Sequence, residues 1–158
     1  MQAVAVIHAV WSHTMSSPSN QGFSLIELMI ALAIGAILAA IVVPAYRDHI
    51  LRAHIPQATS TLSSLAMRLE QTYQDNHAYG DEKKCSVTMP DDNFFTFQCD
   101  AENNGQSFLL TASGKRGGEM ADFIFTLDQN GNTKTTKLPA AWGKTPANCW
   151  IAKRGSTC

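Results

Sequence analysis

Several motifs that would identify an enzyme or a cofactor protein are missing from this 158-residue sequence. It has no G-x-G-x-x-G and no G-x-x-x-x-G-K-[ST], which excludes these two phosphate-binding loops. It also lacks C-x-x-C and a nearby pair of histidines, the spacings that zinc ligands usually have. The five histidines are scattered, and none stands at motif spacing from a cysteine or hydroxyl nucleophile. We therefore predict that the chain is not an enzyme and has no catalytic residues, no metal site and no cofactor.

Apart from Glu27, the first quarter of the chain contains no Asp, Glu, Lys or Arg. Residues 28–43 contain no charged side chain, and residues 1–21 contain no Lys or Arg. As a helix, residues 23–43, the apolar segment, would be about 31 Å long, enough to cross a bilayer. Without Lys or Arg before it, its orientation cannot be derived securely from charge, and an ordinary cleaved secretory signal is disfavoured. Because the sequence after Tyr46 has the composition of a soluble domain, we predict one anchor and one globular domain.

The four cysteines all lie beyond the apolar segment, at Cys85, Cys99, Cys149 and Cys158. An even number in a domain outside the membrane favours disulfides in an oxidising compartment. Three pairings are possible, and the shortest loops come from pairing Cys85 with Cys99 and Cys149 with Cys158. Each of these closures would be worth about 3 kcal/mol in the chain-entropy model. The residues alone leave the pairing open.

Charge is unevenly distributed along the globular part. From Arg47 to Asn104 there are five Lys or Arg against nine Asp or Glu, and from Gly105 to Cys158 there are seven against three. The first part therefore carries a net charge of −4 and the second +4. This asymmetry favours contacts between copies of the chain or a basic face for an anionic partner, whereas a solvated surface is the simpler interpretation.

One acid, Glu27, lies near the start of the apolar segment. The free amides and dipole of a helix N-terminus favour a carboxylate there, which is a purely structural explanation. However, residues 22–28, GFSLIEL, resemble the type III signal and methylation site of type IV pilins and type II secretion pseudopilins. The resemblance implies cleavage after Gly22 by a prepilin peptidase and N-methylation of Phe23. Glu27 would then pair with the new terminal ammonium, within a chain or between neighbours, and fix the axial register of assembled subunits.

The resemblance extends beyond the cleavage site. Gly35 and Pro44 match the weak points of the family's helix, and we expect a further bend at Pro56. The final cysteines resemble the disulfide-bounded C-terminal region of type IVa pilins, in particular that of small minor pilins. Some minor pilins bind DNA for uptake, so we weigh a DNA-binding role for the cations of the last third against the solvated-surface interpretation. These candidates are Lys134, Lys137, Lys144, Lys153 and Arg154.

Periodicity predicts the fold of the remainder. Apolar residues from Leu51 to Tyr73 recur at spacings of three and four, which predicts an amphipathic helix continuing from the anchor to about Asn76. Strand patterns follow, and Asn130-Gly131 between the last two indicates a hairpin. The four predicted strands are Phe94–Gln98, Ser107–Ala112, Asp122–Asp128 and Thr133–Lys137. We predict an α+β fold in which a long N-terminal helix packs on a four-stranded antiparallel meander, with a disulfide-closed C-terminal loop.

Together these observations predict a leader at 1–22, a transmembrane and filament-core helix at 23–46, and a periplasmic globular domain at 47–158. Either Met1 or Met15 is a possible start. The resemblance implies a type IV pilus subunit, anchored in the inner membrane before assembly, and roles in adhesion, twitching motility or DNA uptake. Its expected partners are other pilin subunits, a prepilin peptidase and an inner-membrane assembly platform. A type II secretion pseudopilin and a membrane-anchored DNA receptor are the alternatives, and the sequence does not distinguish a major from a minor subunit.

Overall fold

A computed structural model describes residues 22–81 and 83–158. One helix, α1, spans Leu25–Asn76, and four strands follow: β1 Phe95–Glu102, β2 Ser107–Gly114, β3 Ile124–Asp128 and β4 Thr133–Lys137. The strands form one antiparallel sheet in the order β1-β2-β3-β4. The predicted α+β fold with a four-stranded meander is therefore confirmed. The predictions for residues 1–21, including the choice of start, lie outside the described residues.

Helix α1 continues through both of its prolines, Pro44 and Pro56, and through Gly35. A proline inside a helix removes one backbone hydrogen bond and typically costs about 3 kcal/mol, so packing must compensate. Around Pro56 it does, because Ile55 and Ala58 on either side of it are buried. Pro56 therefore does not end α1. The bends predicted at the three positions stay predictions.

The chain divides into two units, one ending at Ala39 and one beginning at Ala40. In the second unit α1 packs on the sheet through a stripe spaced by three and four residues, as the periodicity predicted. Its fully buried members are Ile55, Ala58, Leu62, Leu65 and Leu69. The sheet contributes an aromatic layer to the same core, including Phe95, Phe97, Phe108 and Phe125. In the first unit the described side chains are exposed.

Strand β1 is longer than predicted, because its ladder with β2 continues to the pair Glu102 and Ser107. The turn that joins the two strands places Asn103, Asn104 and Gly105 at positive φ angles of 51°, 56° and 77°. Asparagine and glycine tolerate this left-handed region better than other residues. The chain can therefore reverse directly after Glu102 without losing strand pairing.

The turn between β3 and β4 is organised by Asp128. Its Oδ1 accepts hydrogen bonds from the backbone N–H groups of Asn130 and Asn132 at 3.0 and 2.9 Å. Partial burial raises the pKa of this carboxyl, but the bonds from Asn132 and Asn130 and the charge of Lys134 outweigh it and hold the pKa below its usual value. Gly131 adopts a φ of 75°. The predicted Asn-Gly hairpin is confirmed.

The connection from α1 to β1 is fastened at two points. A disulfide joins Cys85 to Cys99 on β1. Tyr79 is buried, stacks on Tyr73 with ring centroids 4.6 Å apart, and donates its hydroxyl to Glu70 at 2.9 Å. Burial, followed by the bond to Glu70 and that residue's negative charge, raises the pKa of Tyr79 to about 12.

Candidate functional site

The first candidate site is the start of α1. The helix begins at Leu25, the Leu28 N–H bonds to the Ser24 carbonyl at 3.1 Å, and Phe23 is 85% exposed. Glu27 lies exposed in the first turn, where free backbone N–H groups and the helix dipole favour a carboxylate. The predicted cleavage and methylation site, Gly22 and Phe23, therefore directly precedes the helix, and Glu27 follows Phe23 by about one turn.

The apolar segment after it is uncovered. An 18-residue window of α1 has the length and composition to cross a membrane, and none of it is buried in the structure. Large side chains such as Leu25, Leu32 and Ile41 are each more than 60% exposed. Soluble monomers rarely expose apolar surface of this extent, so the segment requires lipid or other protein chains around it.

The second candidate site is the C-terminal region after β4, which is held on the sheet by Thr135. This residue is fully buried and exchanges two backbone hydrogen bonds with Ala147, at 2.9 and 3.0 Å. Its hydroxyl donates to the Cys149 carbonyl at 2.7 Å and accepts from the Ile151 N–H at 3.0 Å. A single threonine therefore fixes three points of a segment that has no named helix or strand. Sequence reasoning missed it, because a buried threonine in TKTTK gives no distinct signal.

A disulfide between Cys149 and Cys158 closes residues 149–158 of the same region into a loop, which we call the C-terminal loop. Trp142 is fully buried and meets Phe123 edge-on, with ring centroids 5.0 Å apart, while the Trp150 indole N–H donates to the Thr126 carbonyl at 3.0 Å. Trp150 thus fastens the tail to β3, and Trp142 packs it on the residue that directly precedes β3. Both cysteine pairs in the structure are the short closures among the three possible pairings.

Two of the five candidate DNA-binding residues, Lys134 and Lys137, lie on β4. Three positions apart, they would face opposite sides of a regular strand. An irregularity in the β3–β4 ladder changes this, because Lys134 pairs with Thr126 and Lys137 with Ile124. Ladder partners share a face of the sheet, and Ile124 and Thr126 lie two residues apart on one strand, so both lysines point to the same face. The alternation of side chains along a regular strand could not show that the two lysines share a face.

The other three candidates lie in the C-terminal region after β4. Lys144 lines an open cavity of about 500 Å³ together with Asn148 and Cys158. Lys153 and Arg154 begin a turn in which the Lys153 carbonyl accepts the Ser156 hydroxyl at 2.7 Å.

Two of the five cations form ion pairs in the structure. Lys137 Nζ lies 2.9 Å from an Asp122 carboxylate oxygen, and Arg154 Nη2 lies 2.8 Å from Asp48 Oδ1. Within residues 22–81 and 83–158, Lys134, Lys144 and Lys153 form no ion pair, and all three are exposed. The structure thus leaves these three as the most available cations for an anionic partner.

Side chains that could ligate a metal ion are not clustered in the described residues. No cluster of three or more His, Cys, Asp or Glu side chains in this part of the chain is placed to hold a metal ion. Of the adjacent acids Asp91 and Asp92, the second binds the backbone before β1: Asp92 Oδ1 accepts the N–H groups of Phe94 and Phe95, each at 2.8 Å.

Two family models match the chain. Residues 17–43 match the prokaryotic N-terminal methylation motif, and residues 44–122 match a family described as type IV minor pilin ComP, DNA uptake sequence receptor. The second match covers half of the chain but not the region that contains the five candidate cations. A type IV pilin structure from Shewanella oneidensis is similar at 20% identity and a TM-score of 0.45, over 59% of this chain and 98% of that one.

Fimbrial proteins are also similar in sequence. The type IV major fimbrial protein FimA of Dichelobacter nodosus is 43% identical over 61 residues, 39% of this chain and 38% of FimA. A fimbrial protein of Pseudomonas aeruginosa is 31% identical over 155 residues, covering 83% of this chain and 97% of its own length. Since the similarity runs along nearly the whole of that fimbrial protein, and both family models agree with it, the chain belongs to the type IV pilin family.

Proposed function

We propose that this chain is a minor subunit of a type IV pilus. It is made as a precursor anchored in the inner membrane with its globular domain in the periplasm, cleaved after Gly22 by a prepilin peptidase, methylated at Phe23, and then transferred by an assembly platform into the filament. The observation that carries the proposal is the uncovered apolar segment directly after the cleavage motif. Lipid covers such a surface in the precursor, and the helices of other subunits cover it in the filament. The pilin family is structural and is not known to be enzymatic, which supports a subunit without activity of its own.

In this proposal, Glu27 fixes the axial register between neighbouring subunits. A carboxylate among packed apolar helices is costly unless it is paired. Cleavage after Gly22 creates an ammonium at Phe23, and a neighbouring subunit can offer it to Glu27 only at one axial offset. The pair thus selects one stagger among many that apolar contacts alone would permit.

Replacing Glu27 by Gln tests the register, because the variant keeps the side chain's shape and removes its charge. We expect normal insertion and cleavage, but an incorporation into sheared filaments that is lower by about tenfold or more, since 1.4 kcal/mol already changes an equilibrium tenfold. The Ser24→Ala variant is the matched control in the same turn. Equal incorporation of both variants would contradict the pairing.

The mature N-terminus separates the proposal from an anchored receptor that never assembles. Mass spectrometry of the protein from filaments should find N-methylphenylalanine at Phe23. A protein that keeps its leader would overturn the assignment. A type II secretion pseudopilin is disfavoured by the disulfide-closed C-terminal loop, Cys149–Cys158, because pseudopilins more often lack it.

DNA binding is a second part of the proposal. It is supported by the matched family, described as a DNA uptake sequence receptor, and by the net charge of +4 on residues 105–158. The matched residues 44–122 themselves carry more acidic than basic side chains. Phosphate contacts need exposed cations, and Lys134, Lys144 and Lys153 provide them.

A salt titration of duplex DNA binding by the full chain in detergent tests this part. Three phosphate contacts predict that log Kobs falls with log salt with a slope of about −3. Replacing Lys134 or Lys144 by Ala should reduce that slope by about one each, whereas Lys84→Ala, in the acidic half, should leave it unchanged. Absence of binding, or binding insensitive to salt, would exclude the DNA role and leave the pilus role intact.

A further inference from the structure

Two loops of the second unit meet α1 just beyond the apolar segment. The side chain of Arg154, in the C-terminal loop, contacts Asp48 with a distance of 2.8 Å between Nη2 and Oδ1. The β2–β3 connection approaches the same stretch of helix, because Gly117 and Glu119 line a cavity of about 320 Å³ together with Arg47. Both loops are therefore held beside residues 47–51.

This stretch lies at a defined distance from the end of the apolar run. With a rise of 1.5 Å per residue, Arg47 and Asp48 lie about 6 and 7.5 Å along the helix from Val43. The polar headgroup layer on each side of a bilayer is about 5–7.5 Å thick. When the apolar segment spans a membrane, the parts of the two loops beside Arg47 and Asp48 therefore lie at headgroup depth.

The charges at this level are mostly positive. Asp48 is already paired with Arg154, and Glu119 is the other acid that the two contacts bring there. The exposed cations are Arg47 on the helix, Arg116, which precedes the cavity-lining Gly117 in sequence, and Lys153, which precedes Arg154. We refer to Arg47, Arg116 and Lys153 as the basic collar.

We infer that the basic collar binds the headgroups of anionic phospholipids in the bilayer that anchors the precursor. This rests on the membrane-anchored precursor of the proposed function. The observations favour lipid over nucleic acid at this surface because of its depth: a cation about 6 Å beyond the hydrocarbon boundary faces phosphate groups that the membrane itself supplies. Each cation near an anionic surface strengthens such binding by about fivefold.

Hydrogen exchange in lipid nanodiscs tests the inference with the full chain. One set of discs contains phosphatidylcholine alone, and the other also contains phosphatidylglycerol. We expect backbone amides of residues 115–119 to exchange at least about fivefold more slowly in the anionic discs, and added salt to remove the difference. Amides of β2, in the core, should exchange equally in both.

Two double variants show whether the basic collar causes the slower exchange in anionic discs. Replacing Arg47 and Arg116 together by Gln should abolish the slowing, whereas the control that replaces Lys83 and Lys84 by Gln should keep it. All four side chains are exposed, so neither change removes core packing.

The outcomes separate this inference from the function on which it rests. If the chain inserts into both discs and residues 115–119 exchange equally, the collar does not bind anionic lipid and the anchor stands. If the chain inserts into neither kind of disc, the proposal of a membrane-anchored precursor is wrong, and the inference that rests on it is wrong too. If duplex DNA added to neutral discs slows the same amides as much as phosphatidylglycerol does, the surface is a nucleic-acid site and the inference is overturned.

Discussion

Substituting Thr135 by Val should weaken the attachment of the C-terminal region to the sheet. Valine has nearly the same shape, so the core keeps its packing, but two hydrogen bonds disappear. The Cys149 carbonyl loses its donor at 2.7 Å and the buried Ile151 N–H loses its acceptor at 3.0 Å. Because Thr135 is fully buried, water does not replace the lost hydroxyl.

The magnitude follows from these two groups. Each unsatisfied buried group costs about 1–3 kcal/mol, and the extra buried methyl group returns about 0.8 kcal/mol. The free energy of unfolding should therefore fall by about 1–5 kcal/mol. Urea unfolding of the full chain in detergent measures this free energy through tryptophan fluorescence, since Trp142 is buried in the same C-terminal region.

Thr96→Val is the matched control, because Thr96 lies on β1 with its side chain exposed. This change should alter the free energy of unfolding by no more than about 0.5 kcal/mol. If both variants unfold at the same urea concentration with equal slopes, the hydroxyl of Thr135 does not hold the loop.

Three further changes address other parts of the domain. Replacing Cys149 and Cys158 together by Ser should lower the free energy of unfolding by about 3 kcal/mol in oxidising buffer, and a variant as stable as the parent would contradict this. Since the fold keeps Tyr79 protonated, with a pKa raised from 10.0 to about 12, the unfolded chain ionises first. Stability should therefore be complete below pH 10 and fall between about pH 10 and 12, and a Tyr79→Phe variant that falls equally would refute the assignment. In Gly114→Ala, the new Cβ would clash with the Met120 carbonyl oxygen, so we expect the free energy of unfolding to fall by about 1–3 kcal/mol, checked by thermal unfolding.

The elements of the fold could be predicted from local patterns. The stripe from Ile55 to Leu69 repeats at helical spacing, and the structure ends α1 at Asn76, where the periodicity predicted. Strand β4 was predicted with its observed bounds, because Asn130-Gly131 marks the turn before it. Strand β1 was predicted too short, since its extension to Glu102 depends on pairing with Ser107 and not on its own hydrophobic pattern.

The arrangement of the candidate site could be predicted only in part. The basic composition of the last third was visible in the sequence, but not the irregularity that brings Lys134 and Lys137 to one face. The ion pair between Arg154 and Asp48 joins residues 106 positions apart, and no local pattern reports such a contact. Tertiary contacts of this kind decide which cations remain available.

The buried position of Trp142 has a consequence for biogenesis. The sheet that it packs against is complete in the chain by Lys137, yet the core keeps a tryptophan-sized gap until later residues arrive. In the translocated precursor that we propose, the core therefore stays incomplete until residue 142 has crossed the membrane. Closure of the core and oxidation of the cysteine pair beyond it are then late events.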